Sequence, residues 1–398
     1  MRVAHIITGL AADGAETMLY KLLRAMDRTQ FDPLVVSLGD KGAIGAHIEE
    51  LGIPVFCCGM RPGVPSLAAA FRMVRRLRDF RPDLLQGWMY HGNLAAQMAS
   101  AFLPGRTPVI WNIRGSHHIL REEKPLTAAT IWLGARLSRL PVTIINNSLS
   151  SARSHDHYLG FAKDRWAILP NGFELEKFAP SDHAREELRE ELRLPADSLL
   201  IGLIGRYHPM KDHTNFLKAA AILHHWVPDV HFVLAGAGVD QDNAELRELV
   251  TAFGLEDCLH LLGGRTDAPH VTAALDIAGS ASYSEAFPNV IGEAMSCGVP
   301  CVVTDVGDSA WVVGDTGFSV PPREPNALSD AWLELIGRGP GGRQTLGAAA
   351  RIRIASLFSI GAVAAQYAQL YNQVRTGVAS KNRHALPGEI GDLAIRGG

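Results

Sequence analysis

This sequence predicts an α/β protein of two tandem domains, each a doubly wound parallel sheet with helices on both faces. Three observations carry that expectation. The length of 398 residues is long for one core and natural for two. Short β-rich apolar runs alternate with segments of helical periodicity, which argues for parallel strands buried on both faces. The alternation breaks once, at the polar stretch APSDHAREELREELRLPADS, and then restarts.

In chain order, RVAHIITGL reads as a strand, followed by a Gly-containing loop and the helix AETMLYKLLRAM. DPLVVSLGD is a second strand, AHIEELG a helix ending at Gly52, and IPVFCCG a third strand. SLAAAFRMVRRLRDFRP is a helix stopped by Pro82, with Phe71, Val74 and Leu77 expected on one side and arginines around it. DLLQGWM, TPVIWNI, VTIINNS and WAILPNGF complete the first set of strands. After the polar junction, LLIGLIGR, HFVLAGAG, LHLLGG, IAGSAS and PCVVTDVG are strands separated by helices. GRGPGGR is expected to loosen the chain near residue 340, and SLFSIGAVAAQYAQLYNQV to form the last helix. The expected domains are 1–178, joined by a returning helix over about 357–376, and 179–356. Residues 379–398 are polar and Gly-rich and are expected to be a disordered tail.

Composition excludes several classes. A net charge of −3 argues against a general nucleic-acid binder. The charge is uneven: residues 1–160 carry 18 basic and 12 acidic side chains, a surplus that suits an anionic partner or a membrane surface as well as a solvated face. Five cysteines without a CxxC pair fit a reducing cytosol. No leader pattern and no apolar run of about 18 residues is present, so any membrane contact is expected to be peripheral.

In open α/β sheets ligands bind beyond the carboxyl ends of strands, and that is where the chemistry lies here. Arg206 and Lys211 follow a strand in IGLIGRYHPMKDH, where two cations suit a diphosphate. Gly9 and Gly14 bracket a strand-to-helix turn, and Gly236 and Gly238 form a second glycine pair; neither loop is a dinucleotide fingerprint or a P-loop. In SEAFPNVIGEAM, Glu285 precedes a helix and Glu293 lies within it among apolar residues. Pro288 suits the first turn, and carboxylates near a helix N-terminus beside open amides suit a hydroxyl-rich ligand such as a sugar and a ribose. Helix capping by surface acids is the alternative. His155-Asp156-His157 is expected on a surface loop without a metal.

The run Glu285 to Pro300 resembles the E-x7-E region of family 4 (group 1) retaining glycosyltransferases, which have the GT-B fold of two Rossmann-like domains facing a cleft. GLAADGAETML, ILPNGFELEKF, GRYHPMKDH, LAGAG and LLGGRTD resemble that family's other motifs in order, over roughly residues 3 to 375. The resemblance implies a UDP- or GDP-sugar donor, a glycan or polyprenyl-linked acceptor, no cofactor and no metal. It implies that Arg206 and Lys211 hold the diphosphate, with a Gly14 amide beside them, and that Glu285 sits under the transferred sugar. Amides of Phe287, Asn289 and Val290 flanking Pro288 would line sugar and phosphate. Glu293 would take the ribose hydroxyls, and Gly236–Gly238 with Gly264–Arg265 the base. The helix near Tyr367 to Tyr371 would return to the first domain. Retention would proceed by front-side attack, with the leaving phosphate helping to take the acceptor proton.

On the acceptor side the sequence departs from the family. Gln86-Gly87-Trp88 stands where many relatives read His-x-His, leaving His91 as the nearest imidazole, with Asn93 beside it. Arg114 stands where many have His; it cannot act as a base but can bind phosphate or an acidic acceptor, with His117 and His118 close by. Asp13 and Ala286 replace common glycines, and Asp308-Ser309-Ala310 a frequent Gly-x-x-Glu. The expected protein is cytoplasmic, at the inner face of the cell membrane, and acts in surface polysaccharide synthesis. A non-catalytic sugar-nucleotide binder and a nucleotide-sugar epimerase on the same fold are the alternatives. An NAD enzyme is disfavoured because GxGxxG is missing.

Overall fold

Val3 and Ile7 of the first strand enter one apolar cluster and Ala4 and Ile6 another, because successive side chains point to opposite faces of a sheet. Both faces of the sheet are therefore covered. The computed structural model describes residues 1–11, 14–61, 64, 66–105, 107–115 and 123–377. The expected tail over 379–398, Asp13, His117 and His118 lie outside the described residues.

The chain forms two compact units, one of residues 1–172 with 360–398, the other of residues 173–359. The divisions fall at Gly172–Phe173 and Ser359–Ile360 rather than at 178–179 and 356–357. The reason is packing: Phe173, Phe178 and Phe358 all belong to the core of the second unit.

The first unit holds β1 (Arg2–Ile7), β2 (Asp32–Ser37), β3 (Val55–Cys57), β4 (Leu84–Trp88), β5 (Val109–Ile113), β6 (Thr143–Asn146) and β7 (Trp166–Ile168). They form one parallel sheet in the order β3-β2-β1-β4-β5-β6-β7. Its helices are α1 (Gly14–Ala25), α2 (Gly42–Glu50), α3 (Leu67–Phe80), α4 (Met89–Ser100), α5 (Pro125–Leu137) and α6 (Leu149–Leu159). The second unit has helices α7 (Asp182–Glu191), α8 (His213–Trp226), α9 (Ala244–Ala252), α10 (Ala268–Ala273), α11 (Asn289–Ser296), α12 (Ser309–Val313), α13 (Pro325–Gly337) and α14 (Gly339–Leu357). Its strands β8 (Leu199–Ile204), β9 (Val230–Ala235), β10 (Leu259–Leu261), β11 (Ile277–Ser280), β12 (Cys301–Thr304) and β13 (Gly317–Val320) form a parallel sheet in the order β10-β9-β8-β11-β12-β13. A last helix, α15 (Ile360–Arg375), packs on the first sheet through Val363, Tyr367 and Tyr371.

Four expectations are corrected. GRGPGGR does not loosen the chain: Gly339 turns at φ 68° and Pro340 starts α14 in its first turn, where a missing N–H costs nothing. The last helix starts at Ile360, not earlier, since Phe358 turns inward. On α3 the buried stripe is Ala69, Met73 and Leu77, while Phe71 is 68% exposed, so Phe71 and Leu77 do not share a face. His155 is a buried residue of α6, not of a loop; its Nε2 meets the Tyr90 hydroxyl at 2.6 Å.

Candidate active site

In each sheet the strand order reverses once, between β1 and β4 and between β8 and β11. Such a reversal opens a crevice at the carboxyl ends of the two strands, because their connections leave in opposite directions. In the second unit Arg206 and Lys211 follow β8, and Glu285 follows β11. The candidate donor residues thus converge on a topological switch point.

Lys211 Nζ lies 2.5 Å from Glu285 Oε1, which also accepts from Ser282 Oγ at 2.9 Å. Arg206 is exposed and bonds to nothing among the described residues. One cation is therefore already matched by a carboxylate and the other is open to an incoming anion. The loop before α11 is braced from below. Gly307 has φ 59°, and a Cβ there would lie 2.4 Å from the Glu285 carbonyl oxygen, so only glycine lets the two loops approach. Asp308 N donates to Ala286 O at 3.1 Å.

Glu293 is the fifth residue of α11 and half-buried, whereas Ile291, Gly292, Ala294, Met295 and Ser296 around it are buried. Val290 is half-buried in the first turn. Pro288 precedes the helix, and the Asn289 amide donates to Phe287 O at 3.0 Å. That amide is occupied, which narrows the expected cradle. The Phe287 ring is a core element, packed against Phe173, Trp311 and Phe358.

The glycine loops meet at the same edge. A Cβ on Gly236 would sit 2.0 Å from Gly205 O, so the loop after β9 lies against the loop after β8. Gly236 N donates to Gly263 O, and Tyr207 N to Ala237 O, each at 2.8 Å. Gly238 turns at φ 74° beside Tyr207. Arg265 is not open to a base: its guanidinium is held by Asp267 and Glu191 in four hydrogen bonds of 2.7–3.2 Å, which raise its pKa.

In the first unit Gly14 is the exposed first residue of α1, beyond β1. His91 is half-buried near the start of α4, and burial lowers its pKa. Asn93 has a different role from the one expected. It is 2% exposed, and its Oδ1 accepts from Asn112 N at 3.0 Å, which ties α4 to β5. Arg114 is half-buried directly after β5. Its Nη1 donates to Tyr367 Oη at 2.9 Å and to Asn112 Oδ1 at 3.4 Å, and its Nη2 to Pro170 O at 3.3 Å and to Asn171 Oδ1.

Three residues not singled out by sequence belong to the second unit's edge. Ser282 orients Glu285, and Arg323 stacks over Tyr283 with its guanidinium carbon 4.5 Å from the ring centroid. Arg323 follows β13 at φ 62°, a left-handed conformation that costs a non-glycine residue about 1 kcal/mol. Only the Pro-Pro-Arg turn marked it in the sequence. Among the described residues no group of three or more His, Cys, Asp or Glu is placed to hold a metal ion.

Comparison with known proteins gives consistent matches. The family described as "Glycosyltransferase Family 4" matches residues 12–177, and that described as "Glycosyl transferases group 1" matches residues 198–338. The UDP-Gal:alpha-D-GlcNAc-diphosphoundecaprenol alpha-1,3-galactosyltransferase of Escherichia coli is 32% identical over 345 residues, covering 84% of this chain and 88% of that one. A D-inositol 3-phosphate glycosyltransferase of Corynebacterium glutamicum (strain R) is 30% identical over 57% of this chain and 55% of its own. Among solved structures, Anabaena HepE in complex with UDP superposes with a TM-score of 0.80 at 24% identity, over 94% of this chain and all of that one. This last likeness shows the fold, the two-domain GT-B architecture.

Proposed function

The chain belongs to the group 1, family 4 glycosyltransferases, and on that premise we propose that it moves a sugar from a UDP-sugar to a glycan or lipid-linked acceptor with retention of anomeric configuration. The observation that carries this reading is the charge arrangement at the β8/β11 switch point: an open Arg206 beside a Lys211–Glu285 pair. Breaking a glycosyl–phosphate bond leaves negative charge on the diphosphate and positive charge on the sugar. Fixed cations at the first and a carboxylate at the second stabilise both as they develop.

In this reading Arg206 and Lys211 hold the diphosphate and Glu285 faces the transferred sugar. Glu293 accepts ribose hydroxyls, and the Gly236–Gly238 loop flanks the base. The first unit supplies the acceptor contacts, with His91 as its nearest titratable group. The leaving phosphate helps take the acceptor proton, so the step as written uses no metal and no cofactor. We prefer UDP to GDP because the Escherichia coli relative is named for UDP-Gal and HepE was solved with UDP. Surface polysaccharide synthesis at the inner face of the cell membrane is the setting we assign. It is supported by the diphosphoundecaprenol acceptor in that relative's name and by the basic surplus of residues 1–160.

The test is a thermal-shift panel of UDP- and GDP-sugars on the wild type and on Glu293→Ala. A ligand at a hundred times its dissociation constant stabilises the native state by about 2.7 kcal/mol. Stabilisation by one UDP-sugar, lost in the variant, is expected. Stabilisation by none, or equal stabilisation of the variant, overturns the donor assignment. Conversion of the donor without any acceptor would point to an epimerase instead.

A further inference from the structure

Arg114 carries a positive charge that nothing described around it balances. Its four recorded partners are a tyrosine hydroxyl, two amide oxygens and one backbone carbonyl. Its Nε is buried and has no partner. No carboxylate pairs with it among the described residues. Removing a cation from water without an opposing charge costs several kcal/mol, which neutral hydrogen bonds offset only in part. The Trp88 ring, 5.7 Å from the guanidinium carbon, offsets a little more.

Other inward-turned arginines of this chain have their compensation. Arg185 and Arg189 share Asp276, and Arg265 has Glu191 and Asp267. Arg351 and Arg353 donate to backbone carbonyls at the ends of α11 and α12, where a helix dipole favours a cation. Arg114 is at no helix end. It follows β5, at the carboxyl edge of the first sheet, next to the β1/β4 switch point where ligands of such sheets bind. In the neighbouring position after β6, Asn147 is 4% exposed and its Oδ1 has no partner.

We propose that Arg114 is an oxyanion site of the first unit, and that its ligand is a phosphate carried by the acceptor. The proposal rests on the transferase reading and narrows its acceptor to phosphate-bearing compounds. A phosphate would supply the missing negative charge by displacing one of the long neutral contacts, at 3.3 or 3.4 Å, with a stronger charge-assisted one. Asn147 would accept from a hydroxyl of the same molecule. Both named relatives fit that chemistry: one is named for a diphosphate-linked acceptor, the other for inositol 3-phosphate.

The donor diphosphate is the other source of the same chemistry, and residue-resolved protection separates the two. The full-length protein is treated with phenylglyoxal, alone, with inorganic pyrophosphate, or with UDP, and arginine modification is mapped by peptide mass spectrometry. The expected result is that Arg114 reacts in the free protein, pyrophosphate slows it about tenfold, and UDP leaves it unchanged while shielding Arg206. An Arg114 that never reacts, or reacts equally with pyrophosphate, overturns the oxyanion site. Shielding of Arg114 by UDP overturns the acceptor as its source. Failure of UDP to shield Arg206 would instead count against the donor cradle, a separate result.

A kinetic arm excludes a purely structural role. With a diphosphate-linked glycan and the same glycan on a neutral alkyl chain as probe acceptors, R114Q should raise KM about tenfold for the first only, and R114K should recover part of it. Equal losses on both acceptors, together with a lower melting temperature, would make Arg114 a tie between β5 and α15 and sink the proposal.

Discussion

Lys211 Nζ and Glu285 Oε1 stand 2.5 Å apart, bridging the loops after β8 and β11. The two side chains are 21% and 15% exposed, so solvent screens the pair poorly. Each charge sets the position of the other before any ligand arrives, and preorganisation of that kind avoids reorganisation during the reaction.

Lys211→Met and Glu285→Gln should each lower turnover about 10²–10³-fold, the range found when one preorganised charge-stabilising group is removed. Because both variants break the same pair, the double variant should be little worse than either single one. Steady-state rates of all four proteins test this. Multiplying losses would mean that the two residues act independently and that the pair is incidental.

Arg206 behaves differently because nothing in the fold depends on it. It is exposed and bonds to no described residue. Arg206→Ala should leave stability within about 0.5 kcal/mol of the wild type. It should weaken UDP binding about tenfold or more, the worth of one charge-assisted phosphate contact. Calorimetric titration with UDP, paired with a melting curve, checks both halves. Unchanged affinity would remove Arg206 from the cradle.

A third expectation concerns the outer face of the first unit. Leu67 is 92% exposed and Phe71 68% exposed on α3, with Arg75 and Arg78 exposed on the same helix. Arg78 Nε reaches Phe102 O, next to the exposed Phe102 ring and one turn beyond exposed Met98. On α5, Arg136 lies over exposed Trp132, 4.7 Å from its ring centroid. Apolar anchors among arginines suit an anionic lipid surface. The protein should sediment with vesicles containing phosphatidylglycerol and not with phosphatidylcholine alone, and Leu67→Ser/Phe71→Ser should weaken sedimentation severalfold. Equal sedimentation by the double variant would assign those side chains no part in it.

Strand alternation and the order of motifs were legible because they depend on local chemistry. Apolar runs mark strands buried on both faces, and glycines mark the ends. Long-range contacts were not. Asn93 reads like any polar residue of a helix start, and only tertiary structure turns it onto the Asn112 backbone. Arg265 follows two glycines in a promising turn, yet Glu191, distant in sequence, occupies it. Arg323 was marked only by its Pro-Pro-Arg turn, because neither its left-handed backbone nor its stack on Tyr283 shows in the local sequence. The Arg114 substitution was readable as a departure, but not its surroundings, since Tyr367 comes from the far end of the chain.

The last prediction concerns acid. His213 opens α8 two residues after Lys211; it is 3% exposed, and its Nε2 is buried without a partner. Burial first and the Lys211 charge second lower its pKa to about 4. In the unfolded chain a histidine titrates near 6.5. As pH falls below about 6.5 the unfolded state therefore takes up a proton that the folded state refuses until about pH 4, and stability is lost across that window. A shift from 6.5 to about 4 corresponds to about 3 kcal/mol at full extent. Wild type should thus be much less resistant to urea at pH 4.5 than at pH 7. His213→Phe, which keeps a ring against Tyr207, should remove part of that difference. His5, lowered to about 3 by burial, and His260, lowered to about 4 by burial and by His231, contribute to the rest. At neutral pH the uncharged His213 ring adds no third positive charge beside Arg206 and Lys211. A variant whose acid loss matches the wild type would show that His213 is protonated in the folded protein.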